Sequence, residues 1–172
     1  MTRLMNNQKG FTLIELIVAL AIASVIGVAA TMTAHQLITI PVISNDSNTA
    51  INQVRNAVNW INRDVQSATP SSINTTSPKF LSMEQLEWES DTGNWTTHTV
   101  DYSLEAVAGA SLKELRRYYD SSATGMLIAQ YIDTDNTSCS WNSTEKVLTV
   151  TITVQVGTRT EARTFEVKPR PD

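Results

Sequence analysis

The chain has 172 residues, a formal net charge of −4 at pH 7 and a single cysteine. This length allows one membrane helix and one compact domain of about 130 residues. The acidic balance, without a basic patch, argues against nucleic acid as a partner of that domain. The lone Cys139 excludes an intramolecular disulfide.

The first feature along the chain is a short polar leader followed directly by a long apolar segment. The leader carries Arg3 and Lys9 and stops at Gly10, and the apolar segment runs from Phe11 to about Ala34. In a helix, at about 1.5 Å per residue, such a segment spans the roughly 30 Å hydrocarbon core of a membrane. The positive leader predicts a cytoplasmic N-terminus and an exported remainder.

One acid interrupts the apolar segment, because Glu15 is its fifth residue. On insertion scales a carboxylate near the middle of a bilayer costs roughly 2.5–3.5 kcal/mol, so an acid in such a segment usually has a function. The run Lys9-Gly10-Phe11, with Glu15 at a fixed offset behind it, resembles the class III signal of type IV prepilins and type II secretion pseudopilins. The resemblance covers residues 6 to about 34.

The resemblance implies how the chain is processed and assembled. A prepilin peptidase would cut between Gly10 and Phe11, and Phe11 would become an N-methylated N-terminus. The new ammonium of Phe11 would pair with the Glu15 carboxylate of the same or a neighbouring subunit in the inner membrane and then in the filament, beside other pilin or pseudopilin subunits. The implied parts are a leader at 1–10, a transmembrane and assembly helix at 11–43 and an exported globular domain at 44–172.

Other interpretations of the apolar segment stay open at the level of sequence. A Sec-type signal would be cut behind the apolar run, where Ala23-Ser24 and Ala29-Ala30 supply small residues. An uncleaved anchor would fit the length but gives Glu15 no role. Glu15, only one turn inside the helix, could also reach the headgroups by itself.

Helical periodicity continues behind a predicted break. Pro41 should kink or interrupt the helix, and Ser44, Asn45 and Asp46 are candidate N-caps for a new run. The new helix is expected from about 47 to 68, ended by Thr69-Pro70. Its apolar stripe should lie under a sheet. The stripe comprises Ile51, Val54, Val58, Ile61 and Val65, with Ala50, Ala57 and Ala68 beside it.

From residue 78 onward the pattern changes to strands and turns. Turns are expected at 90–93, 109, 120–125 and 157–158, where Gly, Asp and Ser concentrate. Strands are predicted at 80–89, 95–104, 126–132, 147–156 and 164–167, and a strand or short helix at 112–119. The sequence therefore predicts an α+β, pilin-like fold, with the long N-terminal helix packed on an antiparallel β-sheet domain.

A second, weaker resemblance concerns the globular domain. Four short segments are similar to the J-type minor pseudopilins: Asn62-Arg63-Asp64-Val65, Val100–Leu104, Leu112–Arg117 and Val167–Arg170. A minor pilin of a type IV pilus or a DNA-uptake filament is the alternative. A major pilin fits less well, because the pair of cysteines that closes the C-terminal loop of many type IV pilins is missing.

The remaining candidate sites are weaker. Asp133-Thr134-Asp135-Asn136 begins like a calcium loop, but Ser138 and Thr144 stand where an EF-hand needs Gly and Glu, which leaves a turn or an irregular calcium site. His35 and His98 are far apart, and the spacing of Cys and His residues predicts neither a zinc site nor a cofactor. Cys139 is expected as a half-buried thiol or an intermolecular bridge. Two roles are possible for the tryptophans: core packing with interface anchoring, or a sugar-binding platform. The tryptophans are Trp60, Trp88, Trp95 and Trp141.

Two classes of function follow from these features. In the first, the protein is a structural filament subunit rather than an enzyme, since the sequence contains no catalytic constellation. In the second, it is an envelope-anchored binding module or enzyme that has a pilin-like anchor. Glu15 separates the two classes, because only a filament subunit needs it.

Overall fold

The computed structural model describes residues 10–120 and 122–170. The predicted leader, apart from Gly10, and the charges of Arg3 and Lys9 lie outside these residues. The chain divides into two compact units, of which one ends at Ile43 and the other begins at Ser44. One long helix, followed by an antiparallel sheet, gives an α+β arrangement, as the sequence predicts.

The helix α1 runs without interruption over Leu13–Gln66. The predicted break at Pro41 is wrong, and Ser44, Asn45 and Asp46 lie inside the helix instead of capping a new one. A proline within a helix removes one hydrogen bond, whereas ending a helix and starting another leaves about four carbonyls and four N–H groups without partners. Continuing through Pro41 therefore leaves fewer backbone groups unpaired.

The apolar stripe of α1 forms part of the core, as expected, with one exception. Ile51 is exposed, so its place in the stripe was predicted wrongly. The buried members are Ala50, Val54, Ala57, Val58, Ile61, Val65 and, just behind the helix, Ala68. The helix ends at Gln66, before the predicted stop, and Ser67 and Ala68 close its last turn by donating to the carbonyls of Asp64 and Val65. Pro70–Ser72 forms a short 3-10 turn.

Seven antiparallel strands form a single sheet. They are β1 Leu81–Glu89, β2 Asn94–Ala106, β3 Lys113–Tyr119, β4 Met126–Ile132, β5 Ser138–Asn142, β6 Val147–Val156 and β7 Arg159–Val167. Strands β1 to β4 pair consecutively; β4 and β5 both pair with β6, and β7 pairs with β6 along its length. Because each strand has two edges, β7 occupies the edge of β6 opposite β4 and β5.

The strands differ from the prediction in three places. The segment 112–119, left open between strand and helix, is the strand β3. The last strand begins at Arg159 and includes 164–167 as its end. The strand β5 was not predicted, because its five residues include only Cys139 and Trp141 as apolar members.

The core lies between α1 and one face of the sheet. The sheet contributes the fully buried side chains Leu81, Met83, Val100, Tyr102, Leu115, Ile132, Leu148, Val150, Ile152 and Val154. Polar side chains of α1 also reach the sheet backbone. Asn56 Nδ2 donates to the carbonyl of Ile128 over 2.5 Å, and the backbone N–H of Gln130 donates to Gln53 Oε1 over 2.8 Å. Helix and strand β4 are therefore joined by hydrogen bonds as well as by apolar packing.

Candidate functional site

The residues expected at the processing site precede α1 and are open to solvent. Phe11 is 88 % exposed, and a Cβ added at Gly10 would meet no atom within 4 Å. The peptide bond between them therefore has no described side chain against it. These contacts do not test cleavage or methylation, which stay predictions.

Glu15 has a partner that was not predicted from the sequence. The backbone N–H and the hydroxyl of Thr12 both donate to Glu15 Oε2 over 2.9 Å. In return the backbone N–H of Glu15 lies 3.4 Å from Thr12 Oγ1. This reciprocal arrangement is a capping box, in which a Thr at the N-cap and a Glu three residues later satisfy free donors at the start of a helix. The spacing Thr12-x-x-Glu15 in the sequence is the pattern that predicts this capping box.

The capping box leaves part of the Glu15 carboxylate available. Oε1 of Glu15 accepts no hydrogen bond from the residues described here, and an ionised carboxylate has about four lone-pair positions. An ammonium could therefore bind Oε1 while Thr12 still holds Oε2. The predicted charge pair with Phe11 and the capping box are geometrically compatible.

The part of α1 that follows is apolar on all sides. Within the described residues, α1 is the one helix long and apolar enough to cross a membrane. Its exposed side chains include Leu16, Ile17, Val18, Leu20, Ile22, Val25, Ile26 and Val28. Ser24, Thr31 and Thr33 donate to backbone carbonyls three or four residues earlier, at 2.7–2.9 Å. Since their hydroxyls are satisfied locally, they are compatible with a lipid environment.

In the globular unit, a buried acid joins α1 to the sheet. Asp64 is 3 % exposed, and its Oδ2 accepts hydrogen bonds from Tyr102 Oη at 2.6 Å and Arg117 Nε at 2.5 Å. Burial and the neighbouring charge of Asp64 raise the pKa of Tyr102 far above its ordinary value. A negative charge is unfavourable near the C-terminal end of a helix, which is the negative end of the helix dipole. The positive charge of Arg117 compensates the charge of Asp64.

Aromatic rings surround the Arg117 guanidinium. Its carbon atom Cζ lies 5.4 Å from the centroid of Trp60 and 5.5 Å from that of Tyr119. Arg63, one residue before Asp64, lies 3.9 Å above the Trp60 ring. These distances fall in the cation–π range. Trp60 therefore packs against the apolar core and also contacts the guanidinium groups of Arg63 and Arg117.

Beside this cluster, His98 connects β2 with the end of β3. His98 Nδ1 lies 2.6 Å from Asp120 Oδ2, and its ring stacks on Tyr119 with centroids 5.1 Å apart. Its Nε2 lies 3.9 Å from Glu87 Oε2. The hydrogen bond to Asp120 raises the pKa of His98, so this contact favours the imidazolium.

Three segments quoted for the J-type resemblance meet at the buried acid. Asp64, Tyr102 and Arg117 each come from a different one of these segments. A second acid of the quoted segments, Asp101, accepts from Ser82 Oγ at 2.6 Å and pairs with Lys79. Every described buried side-chain N or O atom has a hydrogen-bond partner. The quoted segments thus contribute to structural polar networks of the domain.

The other sequence candidates are distributed over the domain. Trp88 and Trp95 are exposed and form an edge-to-face pair with centroids 5.4 Å apart, whereas Trp60 and Trp141 pack against the core. Cys139 is half-buried, and burial raises its pKa to about 12. Its thiol is therefore protonated at neutral pH, as fits a packed residue.

The acidic loop at 133–136 forms a turn. Asp133 accepts from the backbone N–H of Asp135 at 3.1 Å and from Asn136 Nδ2 at 2.8 Å. Both oxygens of the carboxylate are thus used inside the loop. Over residues 10–120 and 122–170, no three His, Cys, Asp or Glu side chains are grouped as a metal site.

Comparison with known proteins identifies one region. Residues 5–31 match the family model of the prokaryotic N-terminal methylation motif. The match confirms the resemblance found at Gly10, Phe11 and Glu15, but it does not reach the segments quoted for the J-type subclass. No curated protein and no solved structure matches the chain.

Proposed function

Because the chain carries the N-terminal signal of a type IV pilin- or pseudopilin-like precursor, we propose that it is a structural subunit of such a filament. In this proposal prepilin peptidase cuts after Gly10 in the inner membrane, and Phe11 becomes the N-methylated terminus. The methylation motif carries the proposal. The apolar helix, whose first part lies within the matched residues, supports it, because such a helix is compatible first with lipid and then with the helices of neighbouring subunits.

The proposed role is structural rather than enzymatic. The buried polar groups of the described domain are engaged with each other, as Asp64 is with Tyr102 and Arg117. Such satisfied networks hold a helix on a sheet, which is a structural role. An enzyme or binding module with the same anchor would need Glu15 only for the capping box with Thr12 and not for a charge pair between subunits.

Within a filament we propose a minor subunit. The lone Cys139 cannot close a C-terminal loop, and the four segments similar to J-type pseudopilins favour a place near the tip of a type II secretion pseudopilus. A minor pilin of a type IV pilus is the alternative. Co-purification of the processed protein with sibling subunits of one system, rather than the other, decides between them.

The decisive experiment is mass spectrometry of the mature protein from cells that contain a prepilin peptidase. The expected N-terminus is Phe11 carrying one methyl group. The full chain with Gly10→Val should remain unprocessed, since a branched side chain obstructs the approach of a protease to the scissile bond, and Gly27→Val is the control at a glycine inside the helix. A mature terminus near residues 25–31 would mean a Sec-type signal and would refute the proposal.

A further inference from the structure

The last strand, β7, has one edge that is open. It pairs with β6 from Arg159 to Val167, and no other strand of the described residues pairs with it. Thr160, Ala162, Thr164 and Glu166 are all exposed. An open strand edge presents unpaired N–H and C=O groups and can accept another strand.

The hairpin geometry identifies which backbone groups point outward. Gly157 and Thr158 form a two-residue turn, and Gly157 has φ +56°, as the first central residue of a type II′ turn requires. In such a hairpin the closing pair, Val156 and Arg159, exchanges both hydrogen bonds, and this pattern then alternates. The odd-numbered residues of β7 therefore bond to β6, and the even-numbered residues direct their backbone groups to the open side.

The charges along β7 alternate in sign on one face. Arg159, Glu161 and Arg163 occupy successive odd positions, and none of them makes a salt bridge with the residues described. With Glu166 included, the strand has no net charge. A like-charged edge would repel a second copy of itself, but an alternating edge discriminates between registers.

Antiparallel self-pairing can be tested register by register. Centred on Glu161 or on Arg163, the two copies would set like charges opposite each other. Centred on Ala162, Glu161 of each copy lies opposite Arg163 of the other, and Thr160 lies opposite Thr164. This register uses the full strand, and the outward even-numbered residues supply about six backbone hydrogen bonds.

We propose that the open edge of β7 binds β7 of a second copy of this chain, antiparallel and centred on Ala162. The contact is two-fold symmetric, so each copy contributes the same surface. Its backbone hydrogen bonds provide affinity, and the two Glu161–Arg163 pairs select the register. A strand of a different protein would not carry the alternating charges that make two copies of β7 complementary to each other.

The edge of β1, unlike that of β7, is partly covered. Along β1, the backbone N–H of Thr69 donates to the carbonyl of Glu84 over 2.8 Å. Ala68 and Asn74 form further bridges to Gln85 and Ser82 of the same strand. Because residues 68–74 occupy this part of the β1 edge, its backbone groups at Ser82, Glu84 and Gln85 are not open to another strand in the way that the edge of β7 is.

The test uses the full chain in detergent micelles, with its mass measured by sedimentation over a range of protein concentrations. Glu161→Arg and Arg163→Glu should each raise the dissociation constant by about tenfold or more, since every opposed pair becomes repulsive. The double variant Glu161→Arg/Arg163→Glu should restore dimerisation. The exposed Arg159→Glu, opposite Phe165 in this register, should have a much smaller effect.

Cross-linking checks the register independently. In a Cys139→Ser background, copies with Glu161→Cys and copies with Arg163→Cys should form a mixed disulfide, because opposed residues of this kind lie about 4.5 Å apart at Cα. Either variant alone should cross-link poorly, since the identical residues are offset along the strands. A chain that stays monomeric at every concentration, or a dimer that ignores the charge reversals, overturns the proposal.

Discussion

The hydroxyl of Tyr102 on β2 donates to Asp64 Oδ2 in the last turns of α1, over 2.6 Å. Arg117 donates to the same oxygen from the neighbouring strand. The buried carboxylate would lack partners without Tyr102 and Arg117, and these two side chains would lack their acceptor without Asp64. The three side chains therefore fix the position at which the helix lies on the sheet.

The first prediction concerns this cluster. Asp64→Ala in the full chain should lower the free energy of unfolding by about 3–5 kcal/mol, because Arg117 is left as an uncompensated, largely buried charge. Tyr102→Phe should cost only about 1 kcal/mol, since the carboxylate keeps Arg117. Both changes are measured by denaturant unfolding in micelles, followed by tryptophan fluorescence.

A matched control for this prediction lies one residue away. Arg63 also approaches Asp64, at 3.7 Å, but its side chain is 61 % exposed. Arg63→Ala should therefore cost at most about 1 kcal/mol. If Arg63→Ala and Arg117→Ala destabilise the protein equally, burial is not what makes the cluster important.

The second prediction separates two roles of Glu15. If its carboxylate pairs with the Phe11 ammonium of a subunit, Glu15→Gln should leave cleavage and membrane insertion intact and reduce the amount of protein in sheared filaments. Thr12→Val removes the hydroxyl of the capping box but keeps the charge, and should weaken the helix start by about 1 kcal/mol. Assembly should then fall much less than in Glu15→Gln.

Immunoblots of the filament and membrane fractions measure this difference. Thr12→Ser, which retains the hydroxyl, is the control for the change at Thr12. Equal assembly defects in Thr12→Val and Glu15→Gln would assign Glu15 to helix capping. Normal assembly of Glu15→Gln would exclude the charge pair.

The third prediction concerns pH. The hydrogen bond to Asp120 raises the pKa of His98 above 6.5, and the same contact lowers the pKa of Asp120 below 3.8. The contribution of His98 to stability is therefore fully present below pH 6.5 and is lost as the pH rises through its raised pKa. The contribution of Asp120 is present above pH 3.8 and is lost on acidification through its lowered pKa.

Thermal unfolding at a series of pH values tests this predicted direction of the change in stability with pH. Between about pH 6 and about pH 9 the melting temperature of the unchanged protein should fall more than that of His98→Gln, which cannot become charged. Asp120→Asn should also flatten the dependence. Parallel curves for all three proteins would show that the contact does not affect stability.

Much of the fold follows from local patterns. The spacing of Val54, Val58, Ile61 and Val65 predicts the buried face of α1, and the alternation over 147–156 predicts β6, because burial on one face imposes the period of each element. The errors have local causes too. The proline Pro41 favours a break locally, but two new helix ends would leave more backbone groups unpaired than one proline inside the helix does. The strand β5 is too short and too polar to show a periodic pattern of apolar residues.

The sequence by itself determined the N-terminal signal, since Gly10, Phe11 and Glu15 lie close together along the chain, and Thr12 contacts Glu15 within one turn of helix. The tertiary structure decided the partners of Asp64, because Tyr102 and Arg117 lie 38 and 53 residues away. It also decided that no other described strand pairs with the outer edge of β7, whereas residues 68–74 bridge to part of the edge of β1. Residues so far apart meet only where strand pairing and helix packing place them, and no local period encodes that placement.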